Sequence, residues 1–202
     1  MTALVVVGED ALCCALGQRL VAHSLPGRVL AVPPIDTRGV TNLVPRLARY
    51  INMARYGQTV ICIADSDQKC PVELLARWLA HAPPTGFVLR LAVREAESWL
   101  LADGAGMRDY FGIPLIKLPR QPDELVDPKN DLLKFLARYA PAGLRREMVQ
   151  ASPTQLLRGS GYNAGLRDFV AVTWRPDRAV GQSPSLRRAL LRLSDLAGDM
   201  RV

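Results

Sequence analysis

Four short apolar runs recur along this chain, at 3–7, 28–34, 58–65 and 86–93, and amphipathic stretches at 10–25, 39–57 and 70–82 separate them. Apolar runs of this length, rich in β-branched residues and bounded by polar ones, read as buried strands. The intervening stretches carry apolar residues at helical spacing. Strands and helices alternating at these lengths fit few folds. The expectation is an α/β chain with a mainly parallel sheet of about four strands, joined by right-handed crossovers and flanked by helices. Local signals agree: Gly57 stops the second helix and Pro71 sits in the first turn of the third. Pro45 kinks its helix or lies early in it.

The strand ends are acidic. The first is followed by Gly8-Glu9-Asp10, the third runs into Asp65-Ser66-Asp67, and the fourth meets Arg94-Glu95-Ala96-Glu97. In an open parallel sheet, chemistry gathers at the carboxyl ends of the strands. Two like charges 4 Å apart repel by about 4 kcal/mol at an effective dielectric near 20. A cation offsets that repulsion. Mg²⁺ prefers oxygen ligands and is commonly held by a few carboxylates plus water and phosphate. Each residue also has a plainer role: Asp after a strand caps helices and makes turns, and acidic residues suit helix N-termini. The coincidence on three strands is what favours a metal.

Beyond Glu95 the alternation stops. The stretch 95–112 reads as a helix broken by Gly104 and Gly106, followed by a Pro-rich connector. Further helices are expected at 127–140, with Asp127 as N-cap and Pro128 next to it, and within "SPTQLL", "GYNAGLRDFVAVTW" and "SPSLRRALLRLSDLAG". The expected organisation is an α/β core at 1–112 and a helical C-terminal extension at 113–202, packed together as one compact unit. Trp99 is expected in the core.

Charge is uneven. Residues 1–110 hold 11 Lys and Arg against 10 Asp and Glu, whereas residues 111–202 hold 15 against 9. The excess positive charge lies outside the acidic half, which suits a polyanion such as nucleic acid. Arg145-Arg146 and Arg187-Arg188 are the pairs that stand out. No apolar run is long enough to span a bilayer, and the N-terminus lacks the basic region of a signal peptide. The expected compartment is the cytoplasm, with no membrane contact. Cys13, Cys14, Cys62 and Cys70 form no C-x-x-C pair and are expected as small buried residues rather than zinc ligands. His23 and His81, the two histidines, are expected near helix ends, so a histidine-based mechanism has little to stand on.

A Glu after the first strand and D-x-D after the third resemble the signature of the TOPRIM domain of topoisomerases, primases, recombination proteins and OLD-type nucleases. "VVGED", "ADSDQKC", "VREAESWLLAD", "DPKNDLLKFL", "GYNAGLRDFV" and "SPSLRRAL" resemble more closely a branch of small stand-alone TOPRIM-like proteins related to the OLD nucleases, over most of residues 3–192. The resemblance implies a TOPRIM/Rossmann-like sheet and a Mg²⁺- or Mn²⁺-dependent phosphodiesterase acting on DNA or RNA. It implies Glu9 as acid/base or metal-linked group, Asp65 and Asp67 as metal ligands, and Glu95 or Glu97 serving a second ion. Asp103 and Lys129 fall on recurring positions, and Lys129 is a candidate phosphate contact, with Arg187 and Arg188 as candidate nucleic-acid contacts. It also implies an ATPase partner in a phage-defence setting. Two other readings stand beside it. One is a catalytically inactive, metal-binding regulatory or adaptor subunit of an ATPase complex. The other is a receiver-like signalling domain, imitated by Glu9-Asp10, Asp65 and Lys117.

Overall fold

The computed structural model describes residues 3–199. Its centre is a four-stranded, all-parallel sheet of strands β1 (Leu4–Gly8), β2 (Ile35–Asp36), β3 (Thr59–Asp65) and β4 (Phe87–Ala92), in the order β2-β1-β3-β4. The inner strands β1 and β3 are buried on both faces, as continuous β-branched runs require. Helix α1 (Ala11–Ser24) follows β1; α2 (Val40–Leu43), a 3₁₀ turn and α3 (Leu47–Arg55) link β2 to β3; α4 (Pro71–Trp78) links β3 to β4. Successive strand residues face opposite sides. Leu4, Val6, Ile61, Ile63 and Val88 therefore enter the larger of two cores, and Val5, Val7, Val60, Cys62 and Leu89 the smaller. On the larger side α1 lies against the sheet, and a Cβ on Gly17 would come within 2.7 Å of Val6 Cγ1.

The remaining helices all join that larger side. They are α5 (Ala96–Leu101), α6 (Gly104–Phe111), α7 (Pro128–Tyr139), α8 (Ala142–Met148), α9 (Tyr162–Val172), α10 (Pro176–Ala179) and α11 (Pro184–Asp199). Trp99 is fully buried there, and its indole Nε1 donates to Ser185 Oγ at 2.7 Å. One core thus contains Val6 and Ile61 from the first half together with Leu132, Phe169 and Leu193 from the second.

Several expected elements differ. The run 28–34 does not form a strand: Leu30 makes a single bridge to Leu4, and β2 is the two residues beyond it. Pro33 and Pro34 lack the donors a ladder needs. The helix expected at 39–57 is split by the 3₁₀ turn Val44–Arg46 around Pro45. The helix expected at 70–82 ends at Trp78, ahead of Pro83-Pro84, so His81 lies beyond it. Gly104 and Gly106 do not break a helix; they begin one. Asp103 caps α6 through Gly106 N, and the break precedes it. "SPTQLL" is not helical. It closes a hairpin of β5 (Val149–Ala151) and β6 (Leu156–Arg158), where Ser152 Oγ donates to the Gln155 carbonyl and accepts from the Gln155 amide. Cys70 is exposed; the other three cysteines are buried. Lys117 sits in an exposed 3₁₀ turn rather than on a fifth strand, which removes the support for a receiver fold.

Candidate functional site

The strand order reverses between β1 and β3: the chain moves from β1 outward to β2, then returns past β1 to β3. In parallel α/β sheets this switch point opens a crevice at the carboxyl ends of the two strands. Glu9 follows β1 and Asp65 ends β3, so the crevice is flanked by carboxylates.

The Glu9 backbone is held on both sides. Its amide donates to Ile63 O at 3.0 Å, and its carbonyl accepts from Gly39 N at 2.7 Å and from Thr37 Oγ1 at 3.2 Å. The turn into α1 is so tight that a Cβ on Gly8 would lie 2.4 Å from Cys14 N, so no side chain fits there. Asp10 is used locally, accepting from Cys13 N at 2.8 Å as the N-cap of α1. Glu9 reaches across the crevice, where its Oε2 accepts from Asp65 N at 3.0 Å.

Asp65 Oδ1 accepts from Ala96 N at 2.8 Å and lies 3.8 Å from the Cys13 thiol. Its Oδ2 accepts no hydrogen bond among the described residues. Asp65 is half-buried. Burial, and then the charges of Glu97, Glu9 and Asp10, push it well above the usual carboxylate range, against a smaller opposing pull from Lys129. Glu9 is raised too, first by burial and then by Asp67 and Asp10, while the Asp65 amide pulls the other way. Ser66, between the aspartates, is 1% exposed, and its hydroxyl has no partner. Asp67 is exposed with φ +45°, a left-handed turn conformation that Asp tolerates better than most residues.

Glu95 and Glu97 stand differently. They open α5, just past the cis Val93–Arg94 peptide. Glu95 accepts from Lys129 twice, from the backbone N at 2.9 Å and from Nζ at 3.0 Å. Glu97, 2% exposed, accepts from the Tyr162 hydroxyl at 3.1 Å and lies 3.9 Å from Lys129 Nζ. Burial raises the Glu97 carboxyl, and Lys129 opposes that rise. Burial pulls the Lys129 ammonium down, but Glu97 and Glu95 outweigh it, so Lys129 holds its proton more tightly than usual. The place expected for a second metal is therefore occupied by an ammonium group. Lys129, expected as a phosphate contact, is in this structure the counter-ion of Glu95 and lies beside Glu97.

Glu9, Asp65, Asp67, Glu95, Glu97 and Lys129 thus share one rim. Arg187 and Arg188 lie away from it on α11. Asp103 is a structural carboxylate, accepting from Arg175 N and Arg178 Nη2. Sequence reasoning gave Tyr162 no role, although it sits inside a quoted motif; its link to Glu97 spans 65 residues, which no local pattern encodes. Among the described residues, no three His, Cys, Asp or Glu side chains converge closely enough to hold a metal ion unaided.

Comparison with protein-family models, curated proteins and solved structures returns no significant match.

Proposed function

We propose that this chain is a TOPRIM-like, divalent-metal-dependent phosphodiesterase acting on nucleic acid, working with one ion rather than two. The observation that carries this reading is the imbalance within the rim. Lys129 bonds Glu95 and lies beside Glu97, whereas Glu9 and Asp65 make no ion pair among the described residues, and burial with neighbouring carboxylates outweighs what relief they have from the Asp65 amide and from Lys129. The donor chemistry fits a hard cation: carboxylate oxygens, a free Asp65 Oδ2 and the unpartnered Ser66 hydroxyl nearby. Fewer than three protein ligands suit Mg²⁺ or Mn²⁺, since Mg²⁺ commonly takes one or two carboxylates and completes its shell with water and substrate phosphate.

Glu9 and Asp65 would hold the ion, with Asp67 at the exposed mouth. Bound there, it would polarise the phosphoryl oxygens and acidify an attacking water. The Glu9 oxygen left off the ion would lie in the same crevice, placed to accept a proton from that water. The Thr37–Gly39 contacts keep the Glu9 backbone fixed as substrate arrives. Lys129 would hold Glu95 and Glu97 out of the coordination shell, leaving one side open for phosphate. An ATPase partner and a phage-defence role rest on the resemblance alone.

The test is cleavage of plasmid, single-stranded DNA and RNA with Mg²⁺, Mn²⁺ or EDTA, alone and with any ATPase partner. Asp65→Ala and Glu9→Gln should each abolish turnover, and their effects should be non-additive. An active wild type whose Asp65→Ala/Asp67→Ala variant cleaves equally well would overturn the reading. Metal binding without turnover under any of these conditions would favour the regulatory or adaptor subunit.

A further inference from the structure

Arg90 is an anomaly in β4. Its neighbours along the strand are buried aliphatics, and it rises from the sheet face that also carries Val88 and Ala92. Its Nε is buried without a partner. A desolvated guanidinium donor left unpaired is costly in a fold that had the choice of an aliphatic residue there.

What lies over Arg90 is more positive charge. Helix α11 packs on β4 and buries Leu186, Ala189, Leu193 and Leu196. Arg188, Arg192 and Asp195 sit beside that stripe at i, i+4 and i+7, so they share one helix face. Arg192 Nη2 donates to Thr85 O, just before β4, at 3.3 Å. Burial, and then the charges of Arg192 and Arg188, loosen the Arg90 proton, and Asp195 opposes them only in part. Among the described residues none of these three arginines forms an ion pair. Three guanidinium groups with one opposing carboxylate are mutually repulsive unless an anion joins them.

The direction of α11 relates this cluster to the rim. Ser185, near the helix start, bonds Trp99 beyond the carboxyl end of β4, and Arg192 bonds Thr85 at its amino end. The helix therefore runs antiparallel to β4, which is one of the two edge strands. Arg94, hydrogen-bonded to Gln68 Oε1, stands where β4 meets the acidic rim. Arg94 and Arg90 on the β4 side and Arg188 and Arg192 on the helix over it thus follow the strand away from the carboxylates. Arg187 lies one position off this face, because adjacent helix residues do not point the same way.

We propose that Arg90, Arg188 and Arg192 form a phosphodiester-backbone binding track along the β4 edge, which presents a nucleic-acid strand to the acidic crevice. The proposal rests on the phosphodiesterase reading for the strand's destination, but not for its binding. Guanidinium groups match phosphate oxygens in bidentate geometry. Half-buried Arg90 supplies a positive charge fixed by the strand, and exposed Arg188 and half-buried Arg192 supply contacts that tolerate any sequence.

The test is fluorescence anisotropy of labelled single-stranded and duplex oligonucleotides in EDTA, so that binding is read without cleavage. Arg188→Glu/Arg192→Glu should weaken binding about tenfold or more, and the salt dependence should flatten by about one unit per arginine lost. Arg145→Glu/Arg146→Glu on α8, with the same change in net charge, should have a much smaller effect. Asp195→Asn should tighten binding by about two- to threefold, since it removes the one opposing charge. Arg90→Gln tests the buried donor. Should it fold poorly, the Asp195 and Arg188/Arg192 variants decide the matter without it. Equal losses from the α8 and α11 pairs overturn the proposal, as does wild-type binding to anionic vesicles but not to oligonucleotides, or no binding at low salt. Binding that follows the track with no cleavage under Mg²⁺ or Mn²⁺ sustains the track and defeats the hydrolase reading. Cleavage that needs Glu9 and Asp65 but ignores α11 does the reverse.

Discussion

Asp65 carries the sharpest conflict at the level of single residues. Its amide-bonded Oδ1 is satisfied, yet the carboxyl is desolvated and feels the charges of Glu97, Glu9 and Asp10. The folded state therefore holds a proton on Asp65 more tightly than the unfolded chain does. Stability from this group is fully present below the unfolded carboxylate range, near pH 4, and is lost as pH rises through the higher folded value. Glu9 acts in the same direction. Asp65→Asn keeps an oxygen for Ala96 N and removes the charge. In metal-free buffer at pH 8 it should be more stable than wild type by about 1–2 kcal/mol, a rise of roughly 2–8 °C in Tm. The difference should shrink towards pH 4. Thermal melts across that range check it, and an advantage over wild type no larger at pH 8 than at pH 4 would show the site to be relaxed without a cation. Asp67 is a different case. At φ +45° it should accept Asn or Gly readily, whereas Asp67→Val should cost about 1–2 kcal/mol through the backbone alone, measured by urea unfolding.

Among the elements, Lys129 fastens α7 to α5 by bonding Glu95 with both its backbone and its side chain. Asp127 had to start α7, because its side chain accepts from Asn130 N and Pro128 follows at the first helical position. That much was readable in "DPKND". The pairing was not, since Glu95 lies 34 residues away. Lys129→Met strips the cation from two glutamates, one almost wholly buried. It should cost about 3 kcal/mol in urea unfolding. Adding Glu95→Gln should restore part of the loss, which identifies a charge effect rather than a packing one. Tyr162→Phe removes the donor to Glu97 and should cost about 1–2 kcal/mol. No coupling between the Lys129 and Glu95 substitutions would mean that the ion pair does not tie the two helices.

Across the whole molecule, a divalent ion should link folding to function. If Mg²⁺ or Mn²⁺ binds at Glu9 and Asp65, a concentration a hundred times its dissociation constant adds about 2.7 kcal/mol. For a chain of 202 residues that is a rise of about 5–11 °C in Tm. Asp65→Asn should abolish the response, and Arg188→Glu/Arg192→Glu should leave it intact. A wild-type melt indifferent to millimolar Mn²⁺ would count decisively against the shared-ion site.

The sequence by itself determined the alternation of strands and helices, the burial of β1 and β3, the cap at Asp127, and the acidic character of the strand ends. All of these are carried by neighbours within a few residues, where periodicity and side-chain chemistry act directly. Its misreadings are also local: 28–34 and "SPTQLL" have compositions that do not choose between states, and tertiary pairing chose for them. Only the tertiary structure decided that β1 and β3 lie side by side at a switch point, bringing Glu9 to the Asp65 amide across 56 residues. It alone gave Glu95 and Glu97 to Lys129 and set Arg90 beneath α11. Such contacts depend on which strand pairs with which and on how a distant helix packs. They are settled by the summed burial of the whole core, which no short stretch of sequence contains.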